Sequence, residues 1–301
     1  MVTRQSMAFD IPKEIYPFTG KFHDRDGLKQ HYLNEGSGDP VVMLHGNPSW
    51  SIYYRNLVNT LKETHRCIVP DHIGCGLSDK PDDDQYEYTL ASRLADLESL
   101  LHSLNITEKI TLIVHDWGGM IGMTYATRHP EKIKRLVILN TSAFHLPKSK
   151  PLPLGLKICR NTPLGTFLVR GFNAFSAGAA HVGCKRNPMS PQLKRAYRAP
   201  YNNWKNRIAT LRFVQDIPLN PSDKAYDIVS SVEENLGRLS RVPMLICWGL
   251  KDFVFDHHFL TAWEKNFPKA EIHRYQDCGH YILEDAQDEV IPLIKSFIQR
   301  A

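Results

Sequence analysis

Five short runs of almost uninterrupted apolar residues, at 41–44, 67–69, 110–114, 136–139 and 244–248, constrain this chain more than any other feature. Runs of this length fit strands buried on both faces, because a strand with one wet face would alternate. Between them, 49–61, 90–104 and 117–128 carry apolar residues at helical spacing. Strand and helix repeated in this way predict an α/β fold: an open, mostly parallel sheet with helices on both faces. An earlier segment, KFHDRDGLKQHYLNEG, reads as an antiparallel hairpin entering that sheet. At 301 residues the chain suits one large α/β domain with an insertion. Its 42% hydrophobic and 23% charged residues exclude a disordered or low-complexity architecture.

The strand signal stops over 144–216, where Pro-punctuated, aromatic and basic sequence replaces it (PKSKPLPLG, FLVRGFNAFSAG, LKRAYRAPYNNWKNR). This stretch predicts an inserted helical lid, with 1–143 and 217–301 forming the core. Ligands of open α/β sheets bind beyond the carboxyl ends of the strands, so strand ends and lid should enclose the site. Phe172, Phe175, Trp204 and Phe213 are candidates to line an apolar pocket there, or simply lid core.

Charge is uneven along the chain. Residues 145–215 hold 13 Lys or Arg and no Asp or Glu, which leaves 24 basic against 32 acidic elsewhere, a balance of −8. A basic lid on an acidic core points to an anionic ligand, a membrane surface or a protein partner rather than to nucleic acid. A plain solvated surface is the alternative. There is no run of 18 apolar residues, and the opening MVTRQSMAFDIPKEIYPF lacks the basic-then-apolar layout of a signal peptide. The six cysteines show neither C-x-x-C pairing nor zinc-site spacing. A cytoplasmic protein with free thiols, no metal and no cofactor is the expectation. Cys278, close to a histidine of interest, reads as a small buried hydrophobe.

Three pieces carry chemistry. The first is TLIVHDWGGMIG, which has the form of a nucleophile elbow, a strained strand-to-helix turn that exposes one side chain above the sheet. The elbow residue is Asp116, with Val114 where the motif usually has glycine. A carboxylate with an ordinary pKa of about 3.9 is ionised at neutral pH and attacks without a base, giving an enzyme ester. Helix N-capping is the bland alternative. The second is VVMLHGNP, a strand running into a turn whose Asn47 N–H, with that of Trp117, can form an oxyanion pocket. Their side chains add an amide and an indole N–H for a departing anion. The third is MLICWGLKD followed by DCGH, which places Asp252 and then His280 after the nucleophile. In that order Asp252 orients and charges His280. Asp256 and His257 read as surface or helix-start residues.

HGNPSW, PDHIGCGLSDKP, HDWGG, WGLKD and DCGHYILED together resemble the haloalkane dehalogenase branch of the α/β-hydrolases over nearly the whole chain. Within it, HGNPSWSIYYRNLV, NTSAF, APYNNWKNRIATLRFVQDIPL and WGLKDFVFDHHFL look most like the bacterial β-lactone decarboxylases of long-chain olefin biosynthesis. The resemblance implies an α/β-hydrolase fold and conversion of a cis-3,4-dialkyl β-lactone to a cis-alkene and carbon dioxide. It implies Asp116 as nucleophile, His280 and Asp252 as its partners, and Asn47 with Trp117 as the anion-stabilising pair. Position 140, where some dehalogenases place their acid, is Asn140, in keeping with Asp252 as the acid. The resemblance also implies assembly with other olefin-pathway enzymes and a hydrophobic small-molecule substrate. Neighbouring readings are a haloalkane dehalogenase, and an epoxide hydrolase using Tyr197 and Tyr201 on the epoxide oxygen. A ligand receptor on the same fold would not need the intact Asp116, Asp252 and His280 set.

Overall fold

The computed structural model describes residues 11–300, so positions 1–10, where the leader reading began, lie outside the described residues. One sheet of eight strands runs in the order β1-β2-β4-β3-β5-β6-β7-β8. The strands are β1 (Lys21–Arg25), β2 (Leu28–Glu35), β3 (Pro40–Leu44), β4 (Arg66–Pro70), β5 (Ile110–Asp116), β6 (Ile133–Thr141), β7 (Met244–Gly249) and β8 (Glu271–Tyr275). The predicted hairpin is β1 with β2, and β2 also pairs antiparallel with β4. Every other pairing is parallel.

The apolar runs are explained by burial on both faces. Val42, Leu44, Leu112, Val114, Leu136, Ile138, Ile246 and Trp248 point into one core. Their neighbours Val41, Met43, Ile113, Val137, Leu139, Leu245 and Cys247 point into the other. Burial of each such side chain contributes on the order of 2 kcal/mol, so any polar substitution on these strands is costly. The 117–128 spacing is the helix Trp117–Arg128, and 90–104 is the helix Leu90–Ser103, capped by the Thr89 side chain on the Ser92 N–H. The 49–61 spacing divides into a 3₁₀ turn, Ser51–Tyr54, and a helix, Arg55–Leu61.

Between β6 and β7 the chain runs through short helices with no strand over 144–216. They include Leu154–Asn161, a π-helical turn at Phe167–Gly171, Ala174–Val182, Pro191–Arg198 and Ile208–Gln215. Among the described residues, no helix is long and apolar enough to cross a membrane.

Candidate active site

Three strand ends converge on one point. Asp116 ends β5 and opens the helix Trp117–Arg128 at φ 50°, ψ −126°, a conformation that a non-glycine residue holds only when its surroundings enforce it. Two glycines allow that enforcement. A Cβ on Gly46 would fall 2.0 Å from Asp116 Oδ1, and one on Gly118 would fall 2.0 Å from the Leu44 carbonyl. Val114, in place of the motif's usual glycine, is accommodated from the other side, because a Cβ on Gly122 would fall only 2.6 Å from its Cγ1. Asp116 makes no side-chain N-cap hydrogen bond, so the bland alternative fails here.

Its carboxylate is instead held by the neighbouring turn. The Asn47 backbone N–H donates to Asp116 Oδ1 at 2.6 Å, and the Trp117 N–H also donates to the carboxylate. This refines the sequence reading: the two backbone donors hold the Asp116 carboxylate itself rather than waiting for a substrate oxygen. Oδ2 is left facing His280 Nε2 at 3.8 Å. Burial raises the Asp116 pKa above the ordinary carboxylate range, and His280 and the two backbone donors offset only part of that rise. The Asn47 side-chain amide donates to the Thr210 carbonyl at 3.0 Å, which ties this turn to the helix Ile208–Gln215.

His280 Nδ1 lies 2.8 Å from Asp252 Oδ2, with both side chains buried. Burial works to lower the His280 pKa, but the charge and hydrogen bond of Asp252, with the charge of Asp116, raise it above its ordinary value. Asp252 is itself fixed. The Val254 N–H donates to its Oδ1 at 2.8 Å, and the Asn140 amide donates to its Oδ2 at 3.0 Å. Asn140 also accepts the Gly249 N–H at 2.8 Å. The sequence reading used Asn140 only to favour Asp252 as the acid and did not see it as part of the site. His115, the residue before Asp116, reaches the His280 carbonyl from Nε2 at 2.9 Å and so fixes the histidine loop.

PDHIGCGLSDKP folds around a second buried carboxylate. Asp71 accepts the Ser51 and Leu77 N–H groups at 2.6 and 2.9 Å and lies 2.8 Å from His31 Nδ1. Burial works to raise its pKa, but His31, His45 and the Leu77 N–H outweigh it and hold Asp71 at about 2. This group braces the β4 loop against the 3₁₀ turn at Ser51–Tyr54 and takes no part in the cavity.

Over the strand ends lies a cavity of about 420 Å³, in which Asp116 is the one charged lining side chain. Asn47, Trp117 and Phe175 line it, with Leu156, Leu168 and Phe255 among the apolar walls. Phe172 and Trp204 do not: both are exposed on the outer surface. Phe213 is buried behind Trp117, ring centroids 5.4 Å apart, with the Arg93 guanidinium 3.6 Å from the Phe213 ring centroid. Aromatic spacing alone does not tell which face of a helix meets the cavity. Tyr197 and Tyr201 are also turned away, donating to Glu284 Oε1 at 2.6 Å and to the Ser49 carbonyl at 3.1 Å. An epoxide oxygen in the cavity therefore has no tyrosine to polarise it.

Cys278 is buried, with its thiol pushed by burial up to about 12, as a small core residue should be. Asp256 caps the helix His257–Asn266 through the His258 N–H, as its helix-start reading anticipated. Asp256, His257 and His258 are close enough to share an ion, but the Lys150 ammonium already pairs with Asp256.

Comparison with known proteins agrees with this fold. The sequence model of a family described as alpha/beta hydrolase fold matches residues 39–287. A cis-3-alkyl-4-alkyloxetan-2-one decarboxylase of Shewanella oneidensis is 66% identical, the match covering 94% of this chain and 89% of that protein. One of the same name from Xanthomonas campestris pv. campestris is 50% identical, covering 95% and 97%. A haloalkane dehalogenase of Mycolicibacterium paratuberculosis is 32% identical, covering 95% and 94%. The crystal structure of the haloalkane dehalogenase DatA from Agrobacterium tumefaciens C58 superposes with a TM-score of 0.82 at 23% identity, covering 93% and 96%, which shows a shared fold. The chain belongs to the α/β-hydrolase family, on the branch that holds the cis-3-alkyl-4-alkyloxetan-2-one decarboxylases and, at greater distance, the haloalkane dehalogenases.

Proposed function

We propose that this protein is a β-lactone decarboxylase that converts a cis-3-alkyl-4-alkyloxetan-2-one to a cis-alkene and carbon dioxide, as a step in olefin biosynthesis. The observation that carries the reading is a single carboxylate, Asp116, with one oxygen gripped by the Asn47 N–H and the other facing His280, on the floor of an otherwise uncharged cavity. The 66% identity to a protein of that name supports the substrate class. In this reading residues 144–216 serve as the lid and the remainder as the catalytic core.

Asp116 Oδ2 attacks the ring carbon that bears the ring oxygen. The carbon–oxygen bond breaks, and the released carboxylate is held by the Asn47 amide, the Trp117 indole and the His280 imidazolium. Electrons of the carbon–carboxylate bond then form the alkene as the bond to Oδ2 breaks, which releases carbon dioxide and restores Asp116. Inversion at attack followed by anti elimination keeps the cis geometry. Positive charge on His280, favoured by Asp252, serves this route, because no water has to be activated.

A haloalkane dehalogenase is the second reading, favoured by the 32% identical relative and by the same Asp116 and His280 pair. There His280 must act as a base to hydrolyse the ester. Gas chromatography of products from purified protein given a cis-dialkyl β-lactone, and halide detection with a 1-haloalkane, separate the two. Cis-alkene that disappears in Asp116→Ala is the expected result. Halide release with the lactone untouched overturns it. Oxygen isotope from labelled water appearing in the Asp116 carboxylate after one turnover would exclude the elimination route.

A further inference from the structure

Of eight large apolar side chains exposed among the described residues, six lie between 154 and 204: Leu154, Leu164, Phe167, Phe172, Val182 and Trp204. Several of them form one patch. Phe167 and Phe172 meet edge to face with centroids 5.2 Å apart. Arg170 lies 4.8 Å over the Trp204 ring, and a Cβ on Gly171 would touch both Phe167 and Trp204. A contiguous, outward-facing aromatic patch on a monomer marks a surface that meets something apolar.

The charge around it narrows the choice. Five of the 13 basic residues of this region pair with carboxylates: Lys150, Arg160, Arg186, Lys205 and Arg212. The other eight have no carboxylate within ion-pair distance among the described residues, and the region carries no acid of its own. Lys157 is exposed one helical turn from Leu154, and Lys148 is exposed just before that helix. Beside the aromatic patch Lys205 and Arg212 pair with Asp82 and Asp83 of the core, whereas Lys148 and Lys157, next to the exposed Leu154, pair with no carboxylate among the described residues. Exposed apolar side chains on a region with this excess of cations are the composition of a surface that lies in the headgroup region of an anionic bilayer.

The same elements line the cavity. Leu168, in the π-helical turn with Phe167, lines it, as does Ala174, two residues beyond Phe172. Val182 and Phe253 both line the cavity and stand exposed, so they mark its mouth.

We propose that this face of the 144–216 region docks on an anionic lipid surface, with Phe167, Phe172 and Trp204 entering the headgroup layer and the mouth turned toward the membrane. A dialkyl lactone dissolved in the bilayer then reaches Asp116 without crossing water, and its alkene product returns the same way. That second statement rests on the decarboxylase reading; the docking does not.

The test is flotation of the purified full chain with vesicles of phosphatidylglycerol and phosphatidylethanolamine, against vesicles of phosphatidylcholine. Binding to the anionic vesicles, weakened about tenfold or more on phosphatidylcholine or in high salt, is expected. Of the five tryptophans only Trp204 is exposed, so brominated acyl chains should quench wild-type emission and spare Trp204→Phe. The triple variant Phe167→Ser, Phe172→Ser, Trp204→Ser should lose flotation yet turn over lactone in detergent micelles at the wild-type rate, which shows that it is folded. No flotation with anionic vesicles overturns the proposal, as does equal flotation of the triple variant. Capture of a protein partner through these residues without vesicle binding also overturns it. Flotation of a protein that leaves the lactone untouched would remove the decarboxylase reading and leave the docking surface standing.

Discussion

At the strand ends under the cavity Asp116, Asp252 and His280 are each held by hydrogen bonds; in the roof, the helices between 154 and 182 leave large apolar side chains in solvent. The roof's later part is fastened more firmly. Thr210 receives the Asn47 amide, Tyr201 reaches Ser49, and Arg207 donates to the Tyr201 and Arg170 carbonyls. The difference teaches where reaction and substrate are decided. In the proposed reading, a floor built from backbone N–H groups sets up one chemistry, attack by a carboxylate, which suits both decarboxylase and dehalogenase. The roof decides what molecule reaches it.

Breaking the floor should give the largest effect. Asp116→Asn keeps an oxygen for the Asn47 N–H but removes the attacking charge, so turnover should fall by about 10⁴-fold or more. Because Asp116 ionises against a raised folded pKa, its charge weakens the fold at neutral pH, and the variant's Tm should be no lower than wild type. A marked fall in Tm would show that the carboxylate braces the elbow.

Asp71→Asn tests the bracing beneath the floor. The folded pKa of about 2 lies below the unfolded value, so its stabilisation is present above the unfolded pKa and is lost as pH falls toward 2. Breaking this buried pair should remove about 3 to 5 kcal/mol at neutral pH, on the order of 10 °C in Tm by calorimetry. A Tm unchanged at pH 7 would mean that the loop does not depend on it.

Asn140→Ala should loosen Asp252 and lower kcat on the order of tenfold to a hundredfold, with KM for lactone little changed. A change confined to KM would place Asn140 in substrate binding instead. In the roof, Phe175→Ala should leave the rate with short-chain lactones close to wild type and shift the ratio of long to short chains by about tenfold. Equal loss at every chain length would show that the roof also shapes the reaction.

The pH profile is the finest comparison. Asp116 must be ionised, so the acid limb of kcat/KM should lie above the ordinary carboxylate range. His280 serves this route as a cation, so activity should fall as pH rises through its raised pKa. A dehalogenase with His280 as base would gain activity through that limb, so the direction of change alone distinguishes the two.

The buried parallel strands were legible because both faces are covered and the residues read as apolar runs. β8 was not, because Glu271, His273 and Arg274 leave the edge strand no apolar run, and its pairing with β7 supplies what its composition does not. Asp116, Asp252 and His280 were legible because each sits at a strand end or in the loop after it, in the order the chemistry needs. The grip of the Asn47 and Trp117 amides on Asp116 itself was not, since backbone donors leave no mark in side-chain identity. Asn140 was noticed as the wrong residue for an acid and overlooked as a support for one. In the roof the aromatic residues were visible but not their direction: Phe175 turns inward while Phe172 and Trp204 turn out.

The contact between Gly46 and Asp116 has a further consequence for how this chain can change over generations. Any side chain at Gly46 would occupy the place of Asp116 Oδ1, so the most direct route to a new nucleophile pose is closed. Drift can accumulate in the outward-facing helices above without touching that contact. Descendants of such a chain would inherit one reactive oxygen in one place and differ in what they bring to it. A laboratory library aimed at new substrates should therefore hold Gly46 constant and vary Leu156, Leu168 and Phe175.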